Sequence, residues 1–163
     1  MNSLKLIQQK ILSESKLAGT IESLKKEKQS IVFTNGCFDI LHKGHISYLS
    51  QAADLGDILI IGLNSDDSVR RIKGANRPVQ DQDTRALALA SLFFVNYVVL
   101  FEEDTPYELI RKIQPGILVK GGDYSPADIA GYDLVKGSGG KVLTIPLVKG
   151  FSTTSVIKRL SQL

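Results

Sequence analysis

Two histidines, His42 and His45, lie three residues apart in the sequence GCFDILHKGH, and they are the only histidines of the chain. In a helix, residues at this spacing lie on the same face, so both imidazoles would face one ligand. Imidazole N–H groups beside a helix N-terminus, with its unpaired amides and positive dipole end, suit phosphate binding. Gly44 lies between them and leaves the backbone open to an approaching ligand. A zinc site or two unrelated surface histidines are the alternatives, but no third ligand lies nearby for zinc.

The elements that must position these histidines are a strand, a helix and a second strand. Residues 31–33 are β-branched or aromatic, which is typical of a buried strand. Apolar residues recur at helical spacing from Ile46 onward, which predicts a helix beginning between His42 and Gly44. Residues 57–64 then form a second apolar run, so the segment is a βαβ unit with parallel strands. Ligands bind beyond the carboxyl ends of such strands, which places Asn64 on the same edge as His42.

A basic segment follows the second strand, and it is predicted to be a loop. Within residues 70–77 there are four cations, interrupted by Gly74, and Pro78 follows: Arg70, Arg71, Lys73 and Arg77. Arg85 is expected near the first turns of a helix over residues 81–92. A solvated basic loop is the alternative. The position at the ligand edge, in a chain of formal charge +3, favours anion binding.

The remaining pattern predicts an α/β fold with a parallel sheet. Strands are expected over residues 96–101, 117–119 and 142–145, which makes five in total, with helices on both faces. We therefore predict a Rossmann-like, doubly wound, five-stranded sheet, preceded by a helical prelude over residues 1–29. The acidic run 102–104 is interpreted as a solvated loop, with a metal site as the alternative.

Two further segments have the composition of a nucleotide site. Gly121 and Gly122 follow a predicted strand and allow a nucleotide to approach the backbone, although a plain turn would also explain them. Ser152, Thr153 and Thr154 precede the last predicted helix. Capping a helix needs only one hydroxyl, so the other two are free to contact phosphate oxygens.

Composition excludes several classes of protein. The chain has 163 residues, 43% hydrophobic and 23% charged, as expected for one globular domain. Its low net charge disfavours a broad nucleic-acid surface, and no apolar run or secretory signal predicts a membrane or export role. The single cysteine, Cys37, fits the cytoplasm and is interpreted as a packing residue. Neither a P-loop nor a G-x-G-x-x-G motif occurs, which disfavours P-loop ATPases and dinucleotide oxidoreductases.

Taken together, the motifs resemble the HxGH signature of the nucleotidyltransferase superfamily. FTNGCFDILHKGH, RRIKGANRPV, FEEDTP, LVKGGDY and GFSTTSVIKRL occur in the order seen in one branch of it. That branch is the adenylyltransferase domain of bacterial enzymes that make ADP-heptose from D-glycero-β-D-manno-heptose 1-phosphate and ATP. Two departures matter. Many proteins of the branch carry a preceding sugar-kinase domain, whereas residues 1–29 leave room only for the prelude, which suggests a stand-alone transferase. Glycerol-phosphate cytidylyltransferases carry an arginine before Ser-Thr-Thr that has no counterpart here.

The resemblance implies a role for each predicted site residue. Residues 30–163 would form an adenylyltransferase domain that transfers AMP from ATP to a sugar 1-phosphate. Its catalytic residues would be His42, His45 and Lys73. Its nucleotide-binding residues would be Thr34, Asn35, Gly36, Phe38, Asp39, Gly44, Lys120, Gly121, Gly122, Asp123, Ser152, Thr153 and Thr154, and the acceptor would contact Asn64, Arg77 and Arg85. We expect Mg²⁺ on phosphate oxygens, without dedicated protein ligands. A homodimer is left open.

Three alternatives to this activity remain at the level of sequence. Glycerol phosphate with CTP, or FMN with ATP, would use the same chemistry on another acceptor. A nucleotide sensor without catalysis would keep the fold, but it would not need the histidine pair and Lys73 together.

Overall fold

The computed structural model describes residues 2–122 and 124–162, in which six parallel strands form one sheet. The strands, in chain order, are β1 (Ile11–Leu12), β2 (Ile31–Gly36), β3 (Ile58–Asn64), β4 (Tyr97–Phe101), β5 (Ile117–Gly121) and β6 (Lys141–Ile145). Their order across the sheet is β1-β4-β3-β2-β5-β6. The chain therefore builds outward from β2 first in one direction and then in the other, which is the doubly wound arrangement predicted.

Eight α-helices connect these strands within the described residues. They are α1 (Ser3–Gln9), α2 (Glu14–Lys26), α3 (Lys43–Ala53), α4 (Asp66–Lys73), α5 (Gln82–Ala90), α6 (Tyr107–Ile113), α7 (Tyr132–Gly137) and α8 (Thr153–Leu160), with a short 3-10 helix at Pro126–Asp128. None of the helices in the part of the chain that the structure describes is long and apolar enough to cross a membrane.

The two faces of the sheet each carry a core, because side chains alternate along a strand. Val32 and Phe33 are both fully buried but belong to different clusters. Phe33 packs with residues of α2 and α6, including Ile110, whereas Val32 packs with residues of α3 and α5, including Leu49. The prediction of helices on both faces is confirmed.

The sheet has one strand more than the five predicted. β1 pairs in parallel with β4, with Ile11 opposite Val98 and Leu12 opposite Val99. The prediction assigned residues 1–29 to helices alone. A strand of two residues carries no alternation by which the sequence could reveal it.

The basic segment also differs from its prediction as a loop, because its first half, residues 70–73, is the end of the helix α4. Ser65 caps this helix by accepting a hydrogen bond from the Ser68 amide, and Gly74 ends it with a φ of +99°. Arg71 on this helix pairs with Asp104, with 2.8 Å between Nε and Oδ1, so one member of the acidic run 102–104 has a partner.

Candidate active site at the carboxyl ends of the central strands

A cavity of about 520 Å³ lies at the carboxyl ends of β2, β3 and β5, where the strand order reverses. Twelve of the predicted site residues line it: Asn35, Gly36, Phe38, Asp39, His45, Asn64, Lys73, Arg77, Lys120, Gly121, Thr153 and Thr154. Thr34, His42, Gly44, Arg85, Gly122 and Ser152 are not among its lining residues. Asp123 lies outside the described residues. The parallel sheet thus gathers segments that are more than a hundred residues apart in sequence.

The two histidines stand at the first turn of α3, as predicted. His42 is the N-cap of the helix, and its Nδ1 accepts a hydrogen bond from the His45 amide at 3.4 Å. The two rings stack with their centroids 3.8 Å apart and their planes 20° from parallel. His45 lines the cavity directly, and the edge of the Phe38 ring contacts it at a centroid distance of 5.3 Å. The turn therefore presents the pair as one packed unit.

Both imidazoles are neutral at physiological pH. Burial, and then the charge of His42, lowers the pKa of His45 from 6.5 to about 4. Burial also lowers the pKa of His42. Because Nδ1 of His42 accepts the capping hydrogen bond, the proton of the neutral ring is on Nε2. His42 can therefore donate one hydrogen bond to a ligand from Nε2.

Gly44 has a structural reason to be glycine that differs from the one predicted. A Cβ at this position would lie 3.0 Å from ring atoms of His42 and 3.3 Å from Cβ of Phe151. The space beside Gly44 is therefore filled by two side chains, and the glycine permits their close packing rather than the approach of a ligand.

Two lysines bring positive charge to the cavity without a carboxylate partner among the described residues. Lys73 ends α4, and its ammonium makes no hydrogen bond or ion pair in the described part of the chain. Lys120 lies near the carboxyl end of β5, and its Nζ donates to Oδ1 of Asn35 at 3.2 Å. Burial, and to a smaller extent the charge of Lys73, lowers the pKa of Lys120. An anion in this cavity would raise the pKa of Lys120 again, because it stabilises the charged form of the lysine.

Asp39 and Arg77, predicted to bind ligands, form an ion pair with each other. Asp39 is only 1% exposed, and its Oδ2 accepts a hydrogen bond from Nε of Arg77 at 2.5 Å. Its other oxygen accepts from the amides of Val79 and Gln80 at 2.8 and 3.0 Å. Burial would raise the pKa of Asp39, but these amides and Arg77 outweigh it and lower the pKa. The pair fixes the loop after α4, and the Asp39 carboxylate leaves Arg77 with little free charge.

Arg85, predicted to bind the acceptor, is buried and structural. Its side chain is 0% exposed and pairs with Asp66 at 2.7 Å. The same guanidinium donates to the carbonyls of Cys37, Asn64 and Gln80 at 2.6, 2.9 and 3.0 Å. It therefore ties the ends of β2 and β3 together beneath the cavity. Four of its five N–H donors are used by these partners, and its burial keeps the remaining one away from a substrate in the cavity.

Thr34 is likewise structural, whereas Asn64 reaches the cavity. Thr34 is 0% exposed, and its hydroxyl lies 2.5 Å from the Tyr48 hydroxyl. Tyr48 donates to the carbonyl of Val119 at 3.2 Å, so the Thr34 hydroxyl donates to Tyr48 and the chain of bonds joins β2, α3 and β5. Asn64 lines the cavity while its amide donates to Oγ of Ser68 at 3.0 Å.

In the hydroxyl cluster at the start of α8, one hydroxyl caps the helix and the other two residues line the cavity. Ser152 is the N-cap, and it forms a reciprocal capping box with Ser155. Thr153 and Thr154 line the cavity. Nearby, Gly121 lies so close to Leu147 that a Cβ would be 2.9 Å from its side chain, and Gly122 has a φ of +114°. Side chains at both glycines would therefore disturb this wall of the cavity.

Some lining residues were missed by the sequence analysis. Tyr124 and Leu147 follow β5 and β6 and line the cavity, as does Tyr48 on α3. The first two could have been found by the rule that used Asn64, because they also follow carboxyl ends of strands. Cys37, predicted to be a packing residue, is half-buried at the cavity, and burial raises the pKa of its thiol.

Known proteins resemble this chain over most of its length. The family described as cytidylyltransferase-like matches residues 33–159. The bifunctional protein HldE of Trichlorobacter lovleyi is 52% identical over 151 residues, which are 93% of this chain and 31% of that protein. HldE of Campylobacter concisus is 56% identical over 135 residues, covering 83% of this chain and 28% of that protein. The chain thus spans about a third of the length of these relatives.

Solved structures share the fold. The lipopolysaccharide core biosynthesis protein from Thermoplasma volcanium superposes with a TM-score of 0.61 at 26% identity, covering 76% of this chain and 99% of that one. A pantoate-beta-alanine ligase from Francisella tularensis, complexed with β,γ-ATP and β-alanine, has a TM-score of 0.59 at 16% identity, covering 94% of this chain and 78% of that one. The latter likeness concerns the fold alone.

Proposed function

The chain belongs to the cytidylyltransferase-like family of the nucleotidyltransferase superfamily, and from this we propose that it transfers AMP from ATP to a sugar 1-phosphate. The acceptor we propose is D-glycero-β-D-manno-heptose 1-phosphate, and the products are an ADP-sugar and pyrophosphate. One observation carries the proposal. The cavity places two lysines without carboxylate partners in the described residues, Lys73 and Lys120, beside the His45 turn and the Thr153–Thr154 helix start. Two phosphorylated substrates would need such an excess of cations.

The reaction needs no general base, because a phosphate oxygen of the acceptor is already an anion. That oxygen forms a bond to the α-phosphorus of ATP, and the bond from the α-phosphorus to the bridging oxygen of pyrophosphate breaks. Catalysis then depends on positioning and on stabilising charge at the transferring group. The neutral histidine pair would donate hydrogen bonds to α-phosphate oxygens, and the N-terminal dipole of α3 adds to them.

The remaining phosphates would be bound by the cations and hydroxyls of the cavity. Lys73, which has no ion-pair partner in the described residues, would hold the acceptor phosphate and reduce its repulsion from ATP. Thr153 and Thr154, with the free amides at the start of α8, would hold the β- and γ-phosphates. Lys120 and the glycines at the end of β5, Gly121 and Gly122, would contact the nucleotide.

Magnesium would enter with ATP rather than at a protein site. Among the described residues, no group of three or more histidine, cysteine or acidic side chains could hold a metal ion. In the cavity, Asp39 is paired with Arg77, and Asp104 with Arg71. We propose that Mg²⁺ is held by phosphate oxygens and water.

Cytidylyl transfer to glycerol phosphate is the second candidate, and the description of the matching family favours it. The relatives at 52% and 56% identity, both named HldE, support the first candidate.

The experiment that separates them is pyrophosphate release with ATP and CTP, each against a panel of sugar 1-phosphates and glycerol 3-phosphate. Release that requires both ATP and a heptose 1-phosphate supports the proposal. Release with CTP and glycerol phosphate would replace it with the second candidate. Nucleotide binding without release on any acceptor would make the protein a sensor.

A further inference from the structure

Helix α8 carries two of the phosphate-binding hydroxyls, yet it is only loosely held by the rest of the protein. None of its residues is buried, and Leu160 is 61% exposed. All hydrogen bonds found for residues 146–162 stay inside that segment, and none of the ion pairs of the described chain involves it. The capping box of Ser152 and Ser155 therefore orders the helix internally without attaching it to the sheet.

Contact with the first turn of α3 comes from Phe151, the residue immediately before the N-cap. Its Cβ lies 3.3 Å from the position that a Cβ on Gly44 would occupy, and its ring lies under Nζ of Lys43 at 5.6 Å from the centroid. Gly150, just before it, has a φ of +84°, and a Cβ at this position would meet no atom within 4 Å. Leu147, which lies against Gly121, contacts the end of β5 from the start of the loop.

This contact sets the relative position of two helix N-termini. The start of α3 presents the histidine pair, and the start of α8 presents Thr153 and Thr154, with their amides not used by the capping box. We infer that Phe151 is a positioning residue, which holds Thr153 and Thr154 at the phosphate subsite by packing on the first turn of α3, with its Cβ against Gly44 and its ring against Lys43. A side chain at position 44 would displace it. The inference rests on the nucleotide half of the proposed function and not on the base or the acceptor.

The test measures phosphate binding without a base or an acceptor. Inorganic tripolyphosphate is titrated calorimetrically into the wild type, Phe151→Ala, Thr153→Ala and the double variant. Thr153→Ala is expected to weaken binding about tenfold, the size of one hydrogen bond to a charged group. Phe151→Ala should weaken it at least as much, because it releases both threonines, and the double variant should bind no more weakly than Phe151→Ala, because Phe151 acts through Thr153. Phe151→Tyr should keep most of the affinity, since an aromatic ring against Lys43 is kept.

Leu160→Ala is the matched control, because it truncates an exposed apolar residue of the same helix away from the cavity. It should bind tripolyphosphate like the wild type, and the melting temperature of Phe151→Ala should also stay unchanged. Unchanged binding in Phe151→Ala, or additive losses in the double variant, would overturn the inference. If Phe151→Ala is not soluble, Phe151→Val is used in the same cycle, with the same expectations. A preference for CTP, or for another acceptor, would refute the proposed function and leave this outcome untouched.

Discussion

The imidazole rings of His42 and His45 stack at a centroid distance of 3.8 Å, while Nδ1 of His42 caps the helix on which His45 stands. Two positive charges at this distance would repel each other in a partly buried site. The capping bond also requires an unprotonated Nδ1 on His42. The two histidines are therefore neutral hydrogen-bond donors. The ring of His42 serves both the local fold, as the cap of α3, and the proposed chemistry, as a donor to the ligand.

The double role of His42 allows its two functions to be separated. His42→Ala and His45→Ala should each lower kcat by about 10²–10³, as for the loss of one oxyanion donor. His42→Ala should also lower the free energy of unfolding by about 1 kcal/mol, because the cap is lost. In His42→Asn, an amide oxygen can replace the cap, so stability should return while turnover does not. Steady-state kinetics and urea unfolding decide, and full turnover in either alanine variant would contradict the assignment.

The stability of the fold should decrease in mildly acidic solution. The pKa of His45 is about 4 in the folded chain and 6.5 ordinarily, so the unfolded chain binds more protons between these values. The free energy of unfolding should therefore fall as the pH falls from 6.5 to about 4. The pKa of Asp39 is also lowered in the folded chain, so Asp39 adds a further loss of stability in the same direction, near and below its ordinary value of 3.8. Urea unfolding at several pH values in this range should show a weaker dependence of the free energy of unfolding on pH for His45→Asn than for the wild type. An equal slope in both proteins would argue against a buried neutral His45.

Lys73 should affect the acceptor more than ATP. Lys73→Ala is expected to lose most turnover and to raise KM for the sugar phosphate, because the repulsion between the two substrates is no longer reduced. Lys73→Arg should recover only part, since a planar guanidinium does not reproduce a compact ammonium. Arg70→Ala is the control on the same helix, because Arg70 pairs with Asp67 and does not line the cavity. Wild-type kinetics in Lys73→Ala, with both substrates varied, would remove this lysine from the site.

Arg85 should matter for stability and not for substrate affinity. Arg85→Lys keeps the charge but cannot reach three carbonyls and Asp66 together, so the free energy of unfolding should fall by about 2 kcal/mol. KM for the acceptor should remain that of the wild type. Arg111→Lys, in an exposed pair with Glu108, should leave both quantities unchanged. A raised acceptor KM in Arg85→Lys at unchanged stability would restore the sequence-based assignment.

The sequence predicted where the cavity lies because a simple geometric rule connects strands to ligand sites. Residues at the carboxyl ends of parallel strands meet at one edge of the sheet, so Asn64 was expected beside the histidine turn, and Asn64 and His45 line one cavity. The rule concerns position along the chain and needs no knowledge of side-chain contacts.

The sequence did not predict which polar residues form hydrogen bonds or ion pairs within the protein and are therefore not available to a ligand. Arg85 and Arg77 are of a residue type that often binds anions. In the fold, however, Arg85 donates to the carbonyl of Cys37 and Arg77 pairs with the carboxylate of Asp39, and both partners are distant in sequence. Thr34 was misassigned for the same reason, since Tyr48 is fourteen positions away. Such pairing depends on tertiary contacts, which residue type and spacing do not encode locally.

The two-residue strand β1 has a consequence for how the molecules behave in a concentrated solution. The amide of Val98 in β4 donates to the carbonyl of Lys10 at 2.9 Å, so the N-terminal segment occupies an edge that would otherwise be open. Without residues 2–12, β4 would present unpaired amides and carbonyls along the apolar stretch Tyr97–Phe101. An open apolar edge of this kind is a template for intermolecular strand addition. The segment outside the cavity thus guards the protein against aggregation, and its own shortness gives a neighbouring molecule little backbone to pair with.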